Sequence, residues 1–322
     1  MRKLQARSPE SRSVSRYRNL GLFLALSALW GSAFVAIKAG LSAFPPVLFA
    51  ALRYDVAGAV MLGYAVLRAD SWRPRGRDEW LTVGVGAVLL IAAYHAFLFV
   101  GEQGTTSAAA AVIVSLSPVL TTVFARGLLP DERLSAVGVA GIVLGLVGVV
   151  AVAQPDPATF LARETLPQLL VFAAALSFAL GSVVTTSIDA GVEIETMEAW
   201  SMLGGAGLMH LLSFGLGESF GAITWSSTAL WSLTYLSLGA SAAGFLLYFD
   251  LLERLGPVEI NLVSYVAPLF AAVTGFLFLE EVVDGWTAAG FCCIFVGFVL
   301  IKRRALEREI PRLRAAVSGS DT

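Results

Sequence analysis

The chain writes one long stretch twice, and that repeat limits its architecture more than any single motif. Ser115-Leu-Ser-Pro118 in the first half is answered by Tyr265-Val-Ala-Pro268 in the second, a shift of 150 residues. The same shift carries Leu26-Ser27 onto Leu176-Ser177 and Gly31-Ser32 onto Gly181-Ser182. After a one-residue slip, Glu132 aligns with Glu281, Gly141 with Gly290 and Gly148 with Gly297. A period this long is not a solenoid unit but half of a domain. The chain is read as a tandem duplication, with repeats over 20–153 and 167–301 and polar tails over 1–19 and 302–322.

The solvent of those repeats follows from composition. The chain is 57% hydrophobic and only 14% charged, with a mean hydropathy of +0.77, whereas soluble domains carry about 25% charged residues. Too little polar sequence is present to clothe a water-facing surface, so lipid must be the solvent for most of the chain. The formal net charge of −2 offers no bulk basic character for nucleic acid. Cys292 and Cys293 are adjacent in an apolar run, where they cannot staple distant segments and are read as small packing residues. No metal pattern accompanies them, and no metal or cofactor is expected.

Residues 1–19 are polar and arginine-rich and are read as a disordered tail. The apolar run 20–40 has the look of a secretory leader, but its twin, 169–189, lies inside the chain, so it is taken as structural. The other runs are 46–67, 80–100, 106–126, 135–153, 167–187, 197–217, 229–250, 258–279 and 285–301. Each is close to the roughly 20 residues that a bilayer core of about 30 Å requires at about 1.5 Å per residue. The expected fold is therefore all-α and integral to the membrane, with ten transmembrane helices, five per repeat. Of the 22 lysines and arginines, 19 fall in the tails and alternate loops on one side. By the positive-inside rule both termini are cytoplasmic, in a multi-pass protein of the plasma membrane. Five helices per repeat is an odd number, so the second half enters the membrane from the opposite side. The halves become inverted copies, an arrangement that recurs in carriers with alternating access and a site between the repeats.

The chain resembles the drug/metabolite transporter superfamily, in its ten-helix EamA branch. The residues that carry the likeness are Trp30-Gly31-Ser32 with Phe34 and Lys38, Pro45-Pro46, Leu52-Arg53, Tyr94, Thr106-Ser107-Ala108, Pro118 and Glu132. In the second half they are Tyr248, Leu255-Gly256-Pro257, Pro268, Glu280-Glu281, Gly290 and Gly297. The resemblance spans about residues 20–301. It implies a secondary carrier, usually an exporter of small metabolites, amino acids or drugs. It also implies a basket of eight helices around a cavity with the fifth and tenth helices outside it. The substrate stays open because the family is broad. Leu203 stands where the first half has Arg53, so charge in the cavity is expected from the first half.

Ionisable residues inside a membrane are expensive and count as functional candidates. Arg53 lies about 10 Å below the outer surface and is read as a cation for an anionic substrate or a carboxylate partner. Asp55, about 200° further round the helix, is either a proton or cation site or a hydrogen-bond partner of a neighbouring helix. His95 lies at a similar depth and is either a switch in proton coupling or a neutral core residue. Lys38 is read as an interfacial anchor. Pro118 and Pro268 are expected well inside their helices, where each removes a backbone hydrogen bond, and are candidate hinges. Ser115 and Tyr265, one turn before them, are candidates to line the substrate path, with Trp30, Tyr94, Trp200 and Asn261. Gly138, Gly141, Gly145 and Gly148 line one helix face, which suits either an intramolecular seam or a dimer face, and the oligomeric state stays open.

The expected activity is secondary transport, with efflux of a small-molecule substrate by alternating access between the repeats. No Walker A loop occurs, which leaves a proton or ion gradient, or facilitated exchange, as the driving force. Two rivals belong to other classes. An intramembrane enzyme acting on lipid or peptide needs a metal cluster or an acid–base pair, and no such constellation is present. A channel needs a polar ring or an oligomeric pore, and no ring is visible.

Overall fold

The computed structural model describes residues 9–128, 136–154, 165–188, 190–256 and 260–318. Glu132 and Pro257 of the family pattern, and Arg133 and Arg163 of the charge count, lie outside the described residues. Helix is the only regular secondary structure among those residues, as lipid demands of a chain whose backbone polar groups must be satisfied within each segment. Ten apolar segments cross the bundle. In the first repeat they are α1 (Pro9–Gly40), α2 (Pro46–Arg68), a helix in three parts, one in two parts, and α7 (Ala136–Ala153). The three-part helix is α3 (Arg77–Val85), π1 (Gly86–Ala93) and α4 (Tyr94–Glu102). The two-part helix is α5 (Ser107–Val114) and α6 (Ser117–Leu128). The second repeat supplies α8 (Leu166–Ile188), α9 (Ile194–Gly215), then α10 (Ser227–Thr234) with π2 (Tyr235–Ala243) and α11 (Gly244–Leu255). It ends with α12 (Val263–Leu279) and α13 (Gly285–Ser318).

Three expectations change. Residues 9–19 are not a disordered tail but the first turns of α1. A helix already nucleated by an apolar span extends at little cost into residues 10–19, which contain neither glycine nor proline, and Pro9 takes the first helical position, where its missing N–H would be unsatisfied anyway. α13 likewise continues past Ile301 into the C-terminal tail, as far as Ser318, although it contains Pro311. Pro118 does not sit inside a continuous helix. The chain breaks at Ser115–Leu116, and Pro118 falls in the first turn of α6, where its missing N–H would be unsatisfied anyway. Pro268 is inside α12 as expected.

The halves interleave rather than sit side by side. α1 of the first repeat packs against α12 and the α10–α11 segment of the second, and α8 of the second packs in the same manner against α5–α6 and α3–α4 of the first. α2 lies along α9, and α7 along α13. Each of these contacts is thus either repeated by the pseudo-symmetry or lies on its axis. Along the α7–α13 seam Gly141 faces Gly297 while Gly148 faces Gly290, so the two helices run antiparallel. Equivalent helices of opposite direction are what inverted repeats require. The glycine stripe is therefore an intramolecular seam.

Carboxylates from one repeat clamp the helix ends of the other. Glu218 accepts the amides of Val47 and Leu48 at the start of α2 (3.2 and 2.8 Å), two of the donors that a helix N-terminus leaves free. Glu193 accepts those of Asp70 and Ser71 just beyond its end (3.1 and 3.0 Å). Large apolar side chains such as Phe214, Phe278 and Trp231 point outward, which suits a lipid surround.

Candidate functional site

The two π segments occupy corresponding places in the two repeats, since the 150-residue shift carries Gly86 onto Leu236. Wide turns of this kind are frequent at functional sites. Each receives a donor from the other repeat. Trp30 Nε1 of α1 donates to the Ala240 carbonyl of π2 (3.0 Å), and Ser177 Oγ of α8 donates to the Leu89 carbonyl of π1 (2.8 Å). The hydropathy pattern contains no sign of either segment, because closing hydrogen bonds one residue further along leaves the apolar run unbroken.

Arg53 projects from α2 into the seam between the repeats and is only 6% exposed. Its Nε donates to Ser241 Oγ of π2 (2.9 Å), one residue beyond the carbonyl that holds Trp30. No carboxylate among the described residues pairs with it, and its terminal nitrogens make no hydrogen bond there. Its guanidinium carbon stands 5.1 Å from the centroid of the Tyr54 ring. The Tyr54 hydroxyl in turn meets His95 Nε2 at 2.8 Å. His95 Nδ1 lies 2.9 Å from the Ile91 carbonyl of π1. A carbonyl only accepts, so Nδ1 carries the hydrogen, and in the neutral ring Nε2 accepts from the tyrosine. Tyr94 is set edge-on to His95 (centroids 4.5 Å) and against Phe178 of α8 (5.4 Å). Arg53, Tyr54, Tyr94 and His95 therefore form one cluster, touched from the second repeat by Ser241 and Phe178, with Trp30 docked beside it on π2.

The other candidates lie apart from that cluster. Asp55, on the opposite side of α2 from Arg53, accepts from His210 Nε2 of α9 (2.7 Å), and both side chains are partly exposed. Ser115 Oγ is turned back onto the Val112 carbonyl of its own helix (2.6 Å). Tyr265 is buried against Phe298 and Phe295 of α13, at 4.5 and 5.8 Å, and its hydroxyl has no partner among the described residues. Trp200 donates to the Trp72 carbonyl (2.9 Å) at the end of the bundle. Asn261 is exposed.

Two buried carboxylates escaped the sequence reading. Glu198 of α9 is 8% exposed and Glu102 at the end of α4 is fully buried. Both stand near helix ends, where a hydropathy window treats an acidic residue as the boundary and not as part of the span. Glu198 also shows that the second repeat buries an ionisable group of its own. Lys38 is not a lipid-interface anchor. Its ammonium donates to the carbonyls of Glu102, Gln103 and Thr105 (2.9, 3.1 and 2.9 Å), where a cation stabilises the C-terminal end of a helix.

Comparison with known proteins agrees with the fold. A family model described as the EamA-like transporter family matches twice, over residues 19–154 and 165–303. An uncharacterized transporter of Archaeoglobus fulgidus is 26% identical over 282 residues, 87% of this chain and 96% of that one. The uncharacterized transporter YoaV of Bacillus subtilis is 25% identical, over 87% and 97%. The uncharacterized inner membrane transporter YedA of Escherichia coli is 27% identical, over 81% and 84%. A solved crystal structure superposes with a TM-score of 0.63 at 26% identity, covering 91% of this chain and 99% of the other. The chain belongs to the EamA-like transporter family and is a multi-pass membrane transporter of two inverted five-helix repeats.

Proposed function

We propose that this transporter is a secondary exporter of a small metabolite, amino acid or drug-like compound that bears an anionic group. It works by alternating access, with the substrate held between the repeats at Arg53. The observation that carries the reading is the state of that guanidinium: deep in the seam, tethered to the second repeat by Ser241 alone, and without a carboxylate partner among the described residues. An unneutralised cation in a membrane interior is costly. A guanidinium with its fork free is also a ready partner for a carboxylate or phosphate. Trp30 and Tyr94 supply aromatic walls, and the Tyr54–His95 pair holds the floor of the cluster rigid.

The interleaved packing supports alternating access, because each repeat presents the same contacts to the other in inverted order. The interruption before Pro118 and the proline inside α12, Pro268, are the proposed hinges, with Ser115 and Tyr265 moving with them. Asp55 ties α2 to α9 through His210. The lysine and arginine bias supports cytoplasmic termini; the protein works in the plasma membrane, with lipid around it and a proton or ion gradient, or exchange, as the drive.

The test is untargeted metabolite analysis of spent medium from cells expressing the wild type, Arg53→Ala at equal membrane abundance, or neither. An anionic compound that accumulates outside only with the wild type supports the reading. Equal accumulation with both proteins removes Arg53 from the substrate path, and no difference from empty cells counts against export.

A further inference from the structure

The chain between α4 and α5 is held from two sides. Lys38 of α1 gathers three of its carbonyls, those of Glu102, Gln103 and Thr105. From the second repeat, Glu281 Oε2 accepts the amide of Ser107, the first residue of α5 (2.9 Å). Glu280 ends α12 in the left-handed region, with φ 56°. That turn brings the Glu281 amide back to the Gly275 carbonyl (3.1 Å). The contact therefore spans the seam between the repeats.

Inside this frame the Glu102 side chain is fully buried, and neither of its carboxyl oxygens has a hydrogen-bond partner among the described residues; Ser107 Oγ is in the same condition. The groups that face it from the neighbouring elements are few. Lys38 comes from α1, Glu281 from beyond α12, and Arg53 from α2. On its own helix stand Tyr94 and His95, both engaged with the Arg53 cluster. π1, α5 and α8 contain no titratable residue. The nearest ammonium is spent on carbonyls, the Arg53 guanidinium makes no ion pair with Glu102 and is tied to Ser241 instead, and the second carboxylate adds negative charge.

An ionised carboxylate cannot be held in such a place without a counter-charge or donors. We propose that Glu102 is a proton-binding site at the seam between the repeats, loaded in this conformation. Release of the proton to water at the membrane face would let the carboxylate draw the Lys38 ammonium off the three carbonyls. That exchange would free the α4–α5 connection and with it the grip of Glu281. A bound alkali cation fits poorly. Hard cations take a cage of several oxygens, and among the described residues the buried side-chain oxygens here without a partner are the two of Glu102 and Ser107 Oγ. The 150-residue shift carries Glu102 onto Leu252 and Lys38 onto Ile188, so the site exists in one repeat only. The inference rests on the transport reading for its purpose but not for its detection.

Infrared difference spectroscopy of the full-length protein in liposomes detects the site without any substrate. The wild type at neutral pH should show the C=O stretch of a protonated carboxyl, lost in Glu102→Gln and shifted, not lost, in Glu102→Asp, which covers the case in which the glutamine variant fails to fold. Replacing potassium with sodium in the buffer should leave the band unchanged. A wild-type-minus-Glu102→Gln difference spectrum without the band, or a band in that difference that disappears on adding sodium, overturns the proposal. If instead the band behaves as expected while the spent-medium comparison shows no export, the proton site stands and the transport reading fails.

Discussion

A Cβ built on Gly141 would lie 2.5 Å from the Gly297 carbonyl oxygen, and one built on Gly297 would lie 2.5 Å from the Gly141 carbonyl oxygen. The two residues thus meet backbone to backbone, and Gly148 and Gly290 repeat the arrangement one step along, at 2.6 Å each way. Gly141→Leu or Gly297→Leu should force α7 and α13 apart and cost at least ~1–3 kcal/mol, the usual range for overpacking. Gly63→Ala, where a Cβ meets nothing within 4 Å, should instead stabilise α2 by ~0.5–1 kcal/mol through helix propensity. Thermal unfolding in one detergent, run on all three, checks the contrast.

The Tyr54–His95 hydrogen bond makes a different demand. Tyr54→Phe removes the donor and leaves the imidazole acceptor buried without a partner, which should cost ~1–3 kcal/mol. ¹⁵N spectra of labelled histidine in the wild type should show a neutral ring with its hydrogen on Nδ1. A signal from the Nε2–H tautomer would contradict the hydrogen-bond assignment.

Asp55 and His210 hold α2 to α9 on the side of α2 away from Arg53. Asp55 lies within the span Pro46–Arg68, where lipid screens charge poorly and an unpaired ionisable group is costly. Asp55→Asn, which keeps an acceptor for His210, should lower thermal stability and leave export unchanged, whereas Arg53→Ala should abolish export with little change in thermal stability. Measuring both properties for both variants separates the tie from the binding charge.

Lys38→Met keeps the length of the side chain and removes its three hydrogen bonds. The amides of Gln103 to Ser107 should then exchange with deuterium at least tenfold faster, the equivalent of ~1.4 kcal/mol of lost protection and close to the lower end of the range for charged hydrogen bonds. Hydrogen–deuterium exchange with mass spectrometry reads this directly, and unchanged rates would remove Lys38 from its structural role.

Much of the architecture was legible because lipid makes the rules strict. Ten runs of near-constant length, the charge bias of their loops and the copied Ser115–Pro118 stretch were enough to give ten helices in two inverted repeats. Arg53 could be singled out because a charge within an apolar run stands out. What stayed hidden depends on tertiary contact. Both π segments lie in unbroken apolar runs and are recognised only by their backbone. The break at Ser115–Leu116 moved Pro118 from a helix interior to a helix start. Glu102 and Glu198 stand at or near the ends of their apolar runs, and the charged groups around Glu102 come from α1, from α2 and from Glu281, 179 residues further along the chain. The glycine stripe named its own face but not the face opposite, and only the contact with Gly297 settled which of two seams it makes.

The most direct test of the central claim is the thermal shift of the purified protein with matched pairs of compounds, each a carboxylate and its methyl ester, for the wild type and Arg53→Ala. If Arg53 is the binding charge, some carboxylates raise the unfolding temperature of the wild type, their esters do not, and the variant responds to neither. Equal stabilisation by acid and ester, or a carboxylate response that survives in Arg53→Ala, would contradict it.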